Sequence, residues 1–173
     1  MDKILQNLTE EQETEVIKRL YARGGDIRQA LLEEAQNVLE DIDLEEIADG
    51  VFFSLDLLQV ETLWDSSGPT RDGYVDPGEL AYELIEEELK SFIDQIWNYL
   101  QQGMEHEAKI CCMGVLLGIY RYDQESTSEF KNWAVDIPNN CFERLLDDWQ
   151  KKCPTKSLQT EVVDFARENC PGW

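Results

Sequence analysis

From Ile110 to Tyr120 the chain reads Ile-Cys-Cys-Met-Gly-Val-Leu-Leu-Gly-Ile-Tyr, without a charged side chain or a proline. The flanking residues place this run in a helix from about Met104 to Tyr122. Such a helix is apolar nearly all round, and a helix of that kind is the buried, central one of its fold. It requires other helices to cover it. The run is only about half the roughly 20 residues that a membrane span needs, so it belongs to a protein core.

The covering helices are legible from steps of three and four between apolar residues, which fit 3.6 residues per turn and not a strand's two. Thr9-Glu10-Glu11-Gln12 has the spacing of a capping box, and the stripe Leu8, Val16, Ile17, Leu20 ends at Gly24-Gly25. Asp26 with Gln29 is placed to cap a second helix along Ile27, Ala30, Leu31, Ala35, Val38, Leu39 and Ile42. Asp43 with Glu46 opens a third, which the stripe carries on to Leu63. A polar loop over 65–76 separates two helical portions. Asp76 then caps, Pro77 takes the first helical position, and the stripe from Leu80 to Leu100 predicts a helix of about 25 residues, near 38 Å.

After the apolar helix a second loop, 123–138, is expected to be held by Trp133. Two shorter helices follow, one through Cys141, Phe142, Leu145 and Trp149 to Pro154, the other through Val162 and Ala166 to Pro171. No stretch reads as a strand. The expected fold is all-α: a single domain over 1–173, a helical bundle or short array of antiparallel helical hairpins with about seven helices. Gly114 and Gly118 have the small-xxx-small spacing of a close helix crossing.

Charge narrows the partners. The net charge is −22, and residues 29–89 hold 18 acidic side chains against Arg71 alone. Nucleic acids and anionic membranes bind through basic patches, so neither is an expected partner. The acidic excess is either a solvated face or a docking surface for a basic or mixed protein partner, with Glu83, Glu86 and Glu87 as its expected contact residues. The chain shows no charged-then-apolar leader, and its five cysteines lack CxxC or zinc-like spacing. Buried thiols in a reducing, cytoplasmic compartment are expected. Cys111 and Cys112 in the apolar helix read as core residues, and His106, the only histidine, as a surface residue.

One local motif points to chemistry. Asp72-Gly73-Tyr74-Val75-Asp76-Pro77-Gly78-Glu79 resembles the second half of an EF-hand calcium loop, over 68–79. Asp72, Asp76 and Glu79 would be its oxygen ligands and Gly73 its turn. Gly68 and Thr70 occupy the places of the first acidic ligands, so the structural alternative is a capped helix start. Glu83, Glu86, Glu87 and Glu88 could also gather a metal, although acidic helix faces are ordinarily solvated.

Taken with the long helix, Gly103 and the helix after it, Thr70-Arg71-Asp72-Gly73-Tyr74-Val75-Asp76 resembles the helical region that accompanies SWIM-type zinc fingers. The resemblance covers about Leu8 to Tyr122. The finger's Cys-x-Cys and Cys-x-His pairs are absent here, so what it implies is a helical, protein-binding module. With no Gly-rich phosphate loop, nucleophile elbow or dinucleotide fingerprint, the expected function is a non-enzymatic protein–protein interaction module without a cofactor. Calcium binding at 68–79 is the alternative.

Overall fold

The structure, a computed structural model, describes residues 7–40, 42–70 and 73–173. About 80% of it is helical, with eight α-helices among the described residues and one small two-stranded sheet. The chain divides into two compact units, Met1–Asp41 and Ile42–Trp173.

The first unit is a helical hairpin of α1 (Glu10–Ala22) and α2 (Gly25–Glu40). The expected capping box is present. The Gln12 amide donates to the Thr9 hydroxyl at 3.4 Å, and the Thr9 amide to the Gln12 side chain at 3.0 Å. Gly24 and Gly25, at φ +69° and +58°, make the left-handed turn that a side chain would resist. The helix therefore resumes at Gly25, and Asp26 lies in its first turn instead of capping it. There its charge still faces the positive helix end. The side chains of Val38 and Leu39, expected in this stripe, lie outside the described residues.

In the second unit α6 (Glu105–Glu125) is the axis, packed on by α3 (Leu44–Asp56), α5 (Pro77–Gln101), α7 (Ile137–Lys152) and α8 (Lys156–Asn169). Ala108, Cys111, Cys112, Val115, Leu116, Leu117, Ile119 and Tyr122 of α6 are all buried. Around them close Val51 and Leu55 of α3, Ile85, Leu89 and Ile96 of α5, Phe142, Leu145 and Trp149 of α7, and Val162 of α8. Each large aliphatic side chain so buried contributes about 1.5–3 kcal/mol. Gly114 and Gly118 make the α3 crossing possible. A β-carbon at Gly114 would lie 2.8 Å from Ile47 Cβ, and one at Gly118 2.6 Å from the Ala48 carbonyl oxygen.

Three expectations change. The third helix does not run unbroken from 43 to 63. It stops at Leu57, and α4 (Val60–Ser66) begins after an extended Gln59, which accounts for the eighth helix. The break lets Leu63 bury itself as α4 packs on α5.

Within the loop, β1 (Gly68–Thr70) pairs antiparallel with β2 (Gly73–Val75), Pro69 opposite Tyr74. Strands of three residues are too short to show an alternation of two. Gly68 and Gly73, at φ +101° and +143°, make the bends that side chains disfavour.

The third change is in the second loop, which holds a short 3-10 turn, Glu129–Trp133. Its anchor is the fully buried Phe130, whereas Trp133 is 39% exposed and stacks edge-on against Trp64 at 4.8 Å. Among the described residues no helix is long and apolar enough to cross a membrane.

Candidate interaction surface

The buried stripe Ala81, Ile85, Leu89, Ile96 of α5 fixes where its polar residues point. Glu79, Glu83 and Glu87 follow one another at i, i+4 on the exposed side. Glu86 and Tyr82 turn toward α7. There the Tyr82 hydroxyl donates to Glu86 Oε1 at 2.7 Å, and Arg144 donates to the Tyr82 hydroxyl at 2.6 Å and pairs with Glu86 itself. Partial burial pushes the Glu86 carboxyl upward, but the hydrogen bonds from Tyr82 and Arg144 and the guanidinium charge outweigh it. They hold the carboxyl below its ordinary value. The Glu86 carboxylate in turn raises the phenol of Tyr82, chiefly by accepting its hydrogen bond.

This cluster closes the seam between α5 and α7 and divides two hollows. A shallow groove of about 460 Å³ runs past Glu83, Glu86, Glu87, Lys90, Ile93, Asp94 and Arg144. The other hollow is lined by Gly78, Glu79, Tyr82, Glu83, Glu86 and Ile137. Among the described residues neither Glu83, Glu87 nor Asp94 has an ion-pair partner. Like charges at i, i+4 repel by about 0.2–0.5 kcal/mol per pair. Lys90 lines the same groove, so with Glu86 tied to Arg144 the three carboxylates without an ion-pair partner outnumber one cation there, beside the apolar Ile93.

Of the three glutamates expected to contact a partner, Glu83 and Glu87 face solvent, and Glu86 is an internal tie. Glu88 turns the other way and accepts from the Ser54 hydroxyl at 2.6 Å, joining α5 to α3. Glu86 and Glu88 thus turn away from the exposed pair Glu83 and Glu87. Among the described residues no three His, Cys, Asp or Glu side chains gather as a metal site. Asp72 lies outside the described residues. Asp76 caps α5, its Oδ1 accepting from the Gly78 and Glu79 amides at 2.8 and 3.2 Å, and Glu79 is exposed in the first turn.

All five cysteines are free and buried. Burial pushes the Cys111 thiol up to about 12 and those of Cys141 and Cys170 up to about 11. Cys112 is driven well above its ordinary value by burial, with the neighbouring Cys111 and Cys153 adding to it. None of these is a thiolate at neutral pH. His106 is exposed.

Sequence reasoning missed Arg144 and Tyr82. Tyr82 and Glu86 stand at i, i+4, a spacing that could have suggested their bond. Arg144 is 58 positions from Glu86 and is brought to it only by helix packing. No protein-family model, characterised protein or solved structure matches the chain.

Proposed function

We propose that the chain is a non-enzymatic protein-interaction module that receives a basic segment of a partner along the α5–α7 seam. The observation that carries this is the pairing pattern of α5. Its one glutamate facing α7 is paired with Arg144, while Glu83, Glu87 and Asp94 beside it have no ion-pair partner among the described residues and outnumber Lys90 in the groove. Lysine or arginine side chains suit such a groove, because their aliphatic stems lie along Ile93 while their heads meet carboxylates. The Tyr82–Glu86–Arg144 cluster would hold the groove's wall in place without spending the exposed charge.

Fluorescence anisotropy of a labelled, lysine- and arginine-rich amphipathic peptide tests it. Binding at low salt that weakens steeply towards physiological ionic strength is expected, since exposed charges are screened over about 8–10 Å there. An acidic peptide of the same length should not bind. Equal binding of both peptides, or of neither, would remove the proposal.

A further inference from the structure

The two helices of the α1–α2 hairpin do not bury each other's apolar side chains. No residue of α1 is buried, and Ile17 is 56%, Tyr21 42%, Ile27 43% and Leu32 52% exposed. Two packed helices cover only part of each other's apolar stripe, and the stable arrangement of such hairpins is the four-helix bundle. We propose that this face binds the same face of a second copy of the chain, antiparallel about a two-fold axis.

Charge selects that occupant and that orientation. At about 100° per residue, Glu10 and Glu13 fall within the arc of α1 that carries Val16, Ile17, Leu20 and Tyr21. They lie at the end of the hairpin opposite its turn, which is its open end. Arg23 and Arg28 stand at the turn on either side of Asp26, while Arg19 is tied to Glu15 at 2.7 Å. Arg28 lies over the Tyr21 ring with its guanidinium carbon 4.3 Å from the centroid, so a cation borders the apolar face at the turn. In a two-fold antiparallel pair each basic turn meets the other copy's acidic open end, and both contacts are made twice by symmetry. A parallel pair would set turn on turn and open end on open end, like charge against like. A purely basic or purely acidic partner would match one end and oppose the other.

Sedimentation equilibrium of the full chain at tens of micromolar tests this. A mass of twice 20.1 kDa is expected. Ile17→Ser with Leu32→Ser should halve the mass without loss of helical circular dichroism, because both side chains are already exposed. Arg23→Glu with Arg28→Glu should also yield monomer, and adding Glu10→Lys with Glu13→Lys to that variant should restore the dimer. Rescue is specific to the antiparallel pair, since in a parallel pair the fourfold variant still opposes like charges. A monomeric wild type, a dimer indifferent to Ile17→Ser with Leu32→Ser, or a failure of the charge rescue would overturn the proposal.

Discussion

Gly118 lies against the backbone of Ala48 so closely that a β-carbon at 118 would stand 2.6 Å from the Ala48 carbonyl oxygen. That oxygen belongs to helix α3 and cannot swing aside as a side-chain tip can. Val51 Cβ, also 2.6 Å from the same point, blocks the other direction. Gly118→Ala should therefore destabilise the protein by about 1–3 kcal/mol, the usual range for overpacking, although alanine is the better helix former by about 1 kcal/mol. Gly114→Leu should cost at least as much, because Ile47 and the Leu44 carbonyl oxygen crowd that site. Urea unfolding measures both. A Gly118→Ala variant more stable than wild type would mean that α3 and α6 do not cross here.

The α5 start offers a second test. Asp76→Ala removes the acceptor of two amide hydrogen bonds and should cost about 1 kcal/mol, as lost caps do. Millimolar calcium should leave the melting temperature of the wild type nearly unchanged. A rise of several degrees that Glu79→Gln abolishes would instead establish a calcium site at 68–79.

How much of this was legible in the sequence follows the range of the interactions. The central place of α6 and its glycine crossing could be read because an all-apolar helix has one kind of environment, and Thr9, Asp43 and Asp76 because caps act within three residues. The break at Leu57–Gln59 could not, since no glycine or proline marks it and only the burial of Leu63 on α5 favours it. Phe130 and Trp133 stand three apart in one polar loop, and nothing local tells which one enters the core. Within the candidate surface, the exposure of Glu83 and Glu87 follows from the stripe of α5. The diversion of Glu86 depends on α7.

That diversion gives a pH dependence. Glu86 has a folded-state pKa below its unfolded value of 4.5, so its ionised form stabilises the fold. This contribution is fully present above the unfolded value and is lost as pH falls through the lower folded one. Arg144→Met should reduce the loss of stability on that acid side while changing little at neutral pH beyond what an exposed ion pair contributes, about 0–1 kcal/mol. Denaturation curves collected from pH 7 down to pH 3 would show it. An acid limb identical in the two proteins would place the titration elsewhere.

Thiol chemistry probes the core. With burial holding the thiols of Cys111, Cys112, Cys141, Cys153 and Cys170 above their ordinary values, the native chain should resist iodoacetamide at pH 8, and all five should react in urea. Rapid, stoichiometric labelling of one thiol in the native state would contradict the packing around it.

The most direct measurement of the proposed function compares two triple variants of equal charge in binding to the basic peptide. One is Glu83→Gln, Glu87→Gln, Asp94→Asn, which empties the α5 groove of its unpaired carboxylates but keeps the Glu86–Arg144 tie. The other is Glu61→Gln, Glu125→Gln, Glu168→Gln, which removes the same charge from exposed positions elsewhere. If the α5–α7 seam is the docking surface, the first variant should lose at least tenfold in affinity at low salt with its melting temperature unchanged or raised, and the second should bind within twofold of wild type. Equal weakening in both would show a diffuse electrostatic attraction, and the seam would then have no part of its own in binding.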